Sequence, residues 1–289
     1  MNTIIQKQNE PKYLKYLAAQ RVAYSQCKLY QYFDLTSIIV AITSPMLALL
    51  FKTSTDIIAA IGVIWTILYL IAYNFKQKKS EQGAKIQEQF DVELYNLEWN
   101  KILCKRQVPI DIINSLSSLY SNNSDLFNWY SLEIDTNLPK NIAIVLCQRI
   151  NFSWELSLRK KYISFLVSIL VFYYAVFFLV TLALNIGLYE ILKIISPSLP
   201  FLGYGVQTSL SLKAQAKAKD ETLADIDNIL EEYRLTRAIP NESKIRQIQD
   251  VIYIERSSTD KIPDWFYKRF KSKDEFNMDE TIRTIKNNF

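Results

Sequence analysis

Histidine is absent from this 289-residue chain. Its absence removes His-based triads, imidazole metal sites and the usual proton shuttle near neutral pH. Cysteine is scarce: Cys27, Cys104 and Cys147 are scattered without CxxC spacing, so neither a disulfide framework nor a thiolate zinc site is indicated. Nor is there an apolar stretch in MNTIIQKQNEPKYLKYLAAQR that could serve as a cleavable secretion signal, which leaves insertion to internal helices. Repeats and low-complexity tracts are missing, and strand signals are few. Carboxylates remain for acid–base work, but no spacing pairs them. The expectation is a non-enzyme with no cofactor and no metal.

What is present is apolar and uneven. Hydrophobic residues make up 49% and aromatics 13%, yet the mean hydropathy is +0.00. The average hides two apolar blocks, roughly 35–75 and 162–212, set in polar sequence. The first block reads as a hairpin: LTSIIVAITSPMLALLF (35–51), the turn KTSTD, and IIAAIGVIWTILYLIAYNF (57–75). Each run is about long enough for a hydrocarbon core of ~30 Å. Pro45 falls inside the first and predicts a kink, tolerated where a neighbour satisfies the carbonyl it frees. The third run, YISFLVSILVFYYAVFFLVTLAL (162–184), has no charge and is preceded by Arg159, Lys160 and Lys161. The fourth (191–212) carries Lys193 near its start and is interrupted by Pro197 and Pro200, which predicts a broken helix.

The net charge of +5 could suggest DNA or RNA, but the basic residues flank the apolar runs, where topology accounts for them. Only Lys52 and Lys193 lie in the hairpin turns. Lys12, Lys15, Arg21 and Lys28, then Lys76 to Lys79, Arg159 to Lys161, and Lys213, Lys217 and Lys219 all fall on the other side. By the positive-inside rule both termini and the middle segment are cytoplasmic. The expected fold is therefore an all-α membrane protein with four transmembrane helices in two hairpins. The expected segments are 1–34 (an amphipathic helix), the hairpin 35–75, a helical 76–161, the hairpin 162–212 and a helical 213–289, with the middle and C-terminal segments forming a cytoplasmic domain.

Within the polar segments, QEQFDVELYNLEWNKILCKR shows an apolar face through Phe90, Leu94, Leu97 and Ile102. Pro109 opens a short helix, and Pro139 fits a first-turn position of another that meets no breaker until Asn185, predicting one long rod. After the fourth run, Leu223, Ile226, Ile229, Leu230 and Tyr233 trace a helix ended by Pro240. A second helix capped by Asn241 is expected to pair with it antiparallel, and the tail ends in a last amphipathic helix.

Flat rings stack on bases and guanidinium groups match phosphate oxygens, so aromatic-basic clusters are the candidate ligand site. These are Tyr24, Arg149, Trp154, Arg246, Tyr253, Arg256, Trp265 and Tyr267. Singly, each has a plainer role: lipid-interface anchor, or helix-face partner of an acid such as Glu155 or Glu255. Thr36, Ser37, Thr43, Ser44, Thr66, Ser164, Ser168 and Thr181 could line a polar path or simply bond membrane helices together. No span holds the Asp, Glu or Arg that marks ion and proton carriers.

Several blocks together resemble one family: IIQKQNEPKYLKYLAAQRVAYSQCK, DVELYNLEWN, LPKNIAIVLCQRINFSWELSLRKKY, SPSLP and IPDWFYKRF. They are similar to the SMODS-associated four-transmembrane effectors, in the family's order from Asn2 to about Phe270; Cys27 departs, standing where a small residue is expected. The resemblance implies a CBASS-type effector of bacterial anti-phage defence, functionally linked to a nucleotidyltransferase and acting by abortive infection. It would bind a cyclic di- or oligonucleotide second messenger and permeabilise the inner membrane as a homo-oligomer. The resemblance carries no residue-level ligand assignment, so the candidate residues rest on stacking and charge. A non-conducting membrane sensor or scaffold is the alternative, and a carrier is disfavoured by the lack of inverted repeats.

Overall fold

The computed structural model describes residues 3–51, 55–130, 134, 137–153, 156–258, 262–263, 265–266, 269 and 284. Among the described residues all regular structure is helical and no strand occurs. In chain order the helices are α1 (Ile4–Lys7), α2 (Pro11–Phe51), α3 (Thr55–Tyr95), α4 (Ile110–Ser117), α5 (Lys140–Ser153), α6 (Leu156–Ala183), α7 (Leu188–Ile195), α8 (Leu199–Thr236) and α9 (Glu242–Ser257). The chain divides into two units: Met1–Gln26 with Gln77–Leu158 and Gln215–Phe289, and Cys27–Lys76 with Arg159–Ala214.

The first unit has an apolar core drawn, among the described residues, from seven helices, with Ile4 of α1 also buried in it. Leu17 of α2, Phe90 of α3, Ile113 of α4, Ile142 of α5, Ile226 of α8 and Ile245 of α9 are all fully buried within it. Removing such side chains from water is worth roughly 1.5–3 kcal/mol each. Phe90 also meets the Tyr13 ring edge-on at 5.9 Å.

The face expected through Ile102 does not exist. Helix α3 stops at Tyr95, where Asn96 turns left-handed at φ 54° and Leu97 N–H donates to the Val92 carbonyl at 2.9 Å. Asparagine accepts that conformation readily, and the 6→1 bond is a Schellman closure. Asn100 then blocks any restart: its Oδ1 accepts from the N–H groups of Ile102 and Leu103 at 3.1 Å each, a turn that competes with helix. Ile102 is left 94% exposed.

The short helix after Pro109 forms as expected, and Asn241 caps α9 by accepting from Lys244 N–H at 2.9 Å. Pro139 sits one residue outside α5, with its carbonyl accepting from Ala143 N–H. Helix α8 ends before Pro240, at Arg237 with φ 59°. Contacts Gln215–Ser258 and Lys219–Glu255 show α8 and α9 antiparallel. The closest packing of α9, however, is against α5, not α8: Gln148 Nε2 donates to the Ile245 carbonyl at 3.0 Å. The expected rod through α5 and α6 crosses Trp154 and Glu155, and the last amphipathic helix falls beyond residue 269; both lie outside the described residues.

Among the described residues, one segment is long and apolar enough to cross a membrane: Leu158–Ala183, 26 residues, in which an 18-residue window has a mean hydropathy of 2.6 and is 17% buried; from Arg159 on it belongs to the second unit. Ile38–Leu47 in α2 is a shorter apolar segment. The apolar part of α3 leaves Ile57, Ile61, Val63, Ile64 and Leu70 exposed. Helix α6 ends at Asn185, again left-handed at φ 53°, with Ile186 N–H returning to Thr181 O at 3.1 Å.

The prolines are accommodated through carbonyls rather than through flexibility. Pro45 lies inside α2 and cannot donate to Ala41 O, four residues back. The Tyr173 hydroxyl of α6 donates to that oxygen at 3.2 Å. The fourth apolar run is broken as expected, into α7, a 3-10 turn at Ser196–Ser198, and α8. Lys193 O, which loses its helical donor at Pro197, accepts from Ser196 Oγ at 2.9 Å. Close to the break, a Cβ added at Gly205 would run into Leu170, so glycine permits the close approach of α8 to α6.

A double-mutant cycle checks the Pro45 account. Tyr173→Phe is expected to cost about 1–2 kcal/mol in the wild-type background, because it strands a carbonyl. In a Pro45→Ala background, where residue 45 regains its N–H, the same change is expected to cost under about half as much. Thermal midpoints in detergent read both.

Candidate functional site

Helix α3 places Glu88 and Asp91 three residues apart, on one face, and both are fully buried. Helix α9 faces them with Arg246, Gln249 and Arg256. Arg246 Nη2 reaches Glu88 Oε1 at 2.5 Å and Asp250 Oδ1 at 2.7 Å. Gln249 Nε2 donates to Glu88 at 2.8 Å and to Asp91 at 3.0 Å. Arg256 Nη1 donates to Asp91 Oδ2 at 2.5 Å, and its Nη2 to Asn151 Oδ1 at 2.9 Å. The Tyr130 hydroxyl completes the set, donating to Asp91 Oδ1 at 2.5 Å.

Electrostatics follow the burial. Burial pushes the Glu88 carboxyl above its usual range, against the pull of Arg246 and the hydrogen bond from Gln249. Burial first, and then the Asp91 charge, holds the Tyr130 phenol far above its ordinary value, so it stays a donor. For Arg256, burial works against the cation, but Asp91 outweighs it and the guanidinium is held charged. On the neighbouring α5, Arg149 makes a two-pronged contact with Asp227 of α8, at 2.7 and 3.4 Å.

Of the candidate ligand residues, Arg246, Tyr253 and Arg256 share α9, and Arg149 lies on the helix packed against it. Their guanidinium groups are already engaged by carboxylates. Tyr253 is buried beside Ala84 and Cys104, with Trp99 and Leu103 packed against them, and burial holds its phenol above the ordinary value. Tyr24 donates to Arg256 O at 3.4 Å. Trp265 is 58% exposed and meets Phe266 edge-on at 5.5 Å. Trp154 and Tyr267 lie outside the described residues.

The acidic half of this network, Glu88 and Asp91, is absent from the sequence reading. QEQFD puts the two acids on one helix face, opposite Ile86 and Phe90 and with no basic partner at i+4, a pattern that reads as a solvated face, and only the burial of both sides of α3 distinguishes it. Burial is also why thiol chemistry is muted. Cys104 is pushed up to about 12 and Cys147 higher still, again by burial. Alkylation by iodoacetamide at pH 8 is therefore expected to spare both in the folded protein and to modify both after denaturation, read by peptide mass spectrometry.

A second feature is an open cleft of about 670 Å³ between α3 and the loop leading into α4. Lys78, Lys79, Lys85 and Arg106 line it, with Glu81 the carboxylate among its lining residues. In the sequence Lys78 and Lys79 stand out only as the basic flank of an apolar run. Among the described residues no His, Cys, Asp and Glu group is arranged to hold a metal ion.

These observations define, among the described residues, an all-helical protein that has a helix of membrane-spanning length and apolarity and a polar helical unit built around buried ion pairs. The chain belongs to the SMODS-associating 4TM effector domain family, whose match covers residues 2–285. It is 30% identical over 288 residues, covering 95% of each chain, to a Bacillus cereus (strain VD146) protein named a probable CBASS effector molecule. No solved structure matches it. The family ties the chain to CBASS antiviral defence as an effector.

Proposed function

We propose that this effector spans the bacterial inner membrane four times, through 35–51, 57–75, 162–184 and 191–212, with both termini cytoplasmic. It senses a cyclic di- or oligonucleotide made by a partner nucleotidyltransferase and then, as a homo-oligomer, permeabilises the membrane. The observation that carries this reading is the apolar helix Leu158–Ala183, in which an 18-residue window of mean hydropathy 2.6 is only 17% buried. Such a surface is unfavourable in water and favourable in lipid. Family membership supplies the signalling context.

The nucleotide-responsive set is Arg149, Arg246 and Arg256 with the rings Trp154, Tyr253, Trp265 and Tyr267. In the structure Asp227, Glu88 and Asp91 hold the three guanidinium groups. A ligand acts by favouring an arrangement in which those partners change, and it shifts the population only by its differential affinity for the two arrangements. Helices α2, α3 and α8 each contribute residues to both units, so a change in one unit has continuous chain along which to reach the other.

Membrane potential in cells tests this. Bacteria expressing the chain with an active nucleotidyltransferase are expected to depolarise, and those with a catalytically dead one are not. Bound nucleotide without depolarisation would favour a non-conducting sensor or scaffold.

A further inference from the structure

We propose that the cleft lined by Lys78, Lys79, Lys85 and Arg106 is a binding site for a phosphodiester anion, and that it is where the ligand first docks. This rests on the nucleotide-sensing reading for the ligand's identity, though not for its charge. The volume of about 670 Å³ lies in the range of small-molecule sites. Four cations face one carboxylate there, and Lys85 pairs with that carboxylate, Glu81, at 2.8 Å. Val108, Pro109 and Ile112 add apolar surface to the lining. Among the described residues no aromatic ring lines the cleft, so it reads phosphate charge and an apolar body rather than base stacking.

The cleft is built in advance. Gln89, buried on α3, holds the loop by two bonds: Nε2 donates to Val108 O at 3.2 Å, and Oε1 accepts from Val108 N–H at 2.9 Å. Trp99 Nε1 donates to Lys105 O at 2.9 Å, next to Arg106. A fixed loop spares the ordering cost of binding. The comparison with the α9 arginines decides the order of events. Reaching Arg246 or Arg256 means displacing buried carboxylates, a change of several kcal/mol, whereas Lys78 and Arg106 are exposed. Helix α3 carries the cleft lysines and, further along, Glu88 and Asp91, so an anion in the cleft sits on the same helix as the ion-pair network.

Two sources share this chemistry, a soluble cyclic nucleotide and an anionic lipid headgroup. The test is calorimetry on the full chain in neutral detergent, with cyclic di-AMP, cyclic di-GMP and a cyclic triadenylate as one set of probes. Water-soluble dihexanoyl phosphatidylglycerol is the other. Lys79→Glu/Arg106→Glu is expected to weaken the bound probe on the order of a hundredfold, while Lys101→Glu, on the same loop outside the cleft, changes affinity less than about threefold. A cyclic nucleotide lost in the double variant assigns the cleft to the soluble messenger. If only the phospholipid binds, and is lost in the double variant, the cleft stands as a headgroup site and the nucleotide-sensing reading fails. A cyclic nucleotide bound equally by wild type and double variant overturns the cleft and leaves that reading intact. Wild type binding no probe overturns the cleft outright.

Discussion

Asp91→Ala lowers the thermal midpoint of the purified protein by roughly 10 °C, the largest single-site effect expected outside the membrane segments. Asp91 is fully buried and accepts from Arg256, Gln249 and Tyr130. Removing it takes the carboxylate away from a buried guanidinium that also donates to Asn151, leaves the Tyr130 phenol without this acceptor and leaves the Gln249 amide with Glu88 but not Asp91. Breaking a buried pair from one side costs about 3–5 kcal/mol, and a chain of this size loses about 2–4 °C per kcal/mol. Arg256→Ala is expected to cost a similar amount from the other side. The pair itself need not stabilise the fold, because desolvation offsets most of the attraction. Asp91→Leu/Arg256→Met is therefore expected to recover much of the loss while leaving Glu88 as the α3 carboxylate that holds α9. Thermal melts followed by far-UV circular dichroism measure all three. A midpoint for Asp91→Ala within about 2 °C of wild type would mean that the network does not hold α9 in place.

The second large effect separates lipid from water around α6. Val171 and Phe172 are 64% and 72% exposed. On a soluble surface, Val171→Asp/Phe172→Asp would change stability by under about 1 kcal/mol. At the centre of a membrane helix the same pair costs about 5–7 kcal/mol, enough to block integration. The double variant is expected to leave the carbonate-resistant membrane fraction, while Val171→Leu/Phe172→Leu stays in it. Equal recovery of the aspartate and leucine variants in that fraction would contradict a membrane-spanning α6.

Some of this architecture was legible in the sequence because the physics is local. Unbroken apolar runs, the Asn241 cap and the break at SPSLP depend on neighbours a few residues away, and periodicity finds them. The end of α3 at Tyr95 was missed because the residues that decide it, Asn96 and Asn100, act through backbone geometry rather than hydropathy; the apolar spacing of Leu97 and Ile102 suggested continuation. The packing of α9 on α5 was missed for a different reason. Helices adjacent in sequence are the natural first partners, and nothing in α8 or α9 alone reveals a third helix between the choices. At the candidate site the arginines were visible as chemistry, but their partners were not. Glu88 and Asp91 lie more than 150 positions from Arg246 and Arg256 in the sequence, and only the fold brings them within 2.5 Å. The basic cleft was hidden by a competing explanation, because lysines that follow an apolar run satisfy the positive-inside rule whether or not they also line a cavity.

The measurement that bears most directly on the central claim is dye release from phospholipid vesicles containing the purified chain, with cyclic di- and trinucleotides added singly to the cytoplasmic face. Release triggered by one member of the panel, and abolished by Lys79→Glu/Arg106→Glu in protein that remains inserted, is the predicted result. Silence across the whole panel, from protein shown to be folded and inserted, would contradict a nucleotide-gated membrane effector.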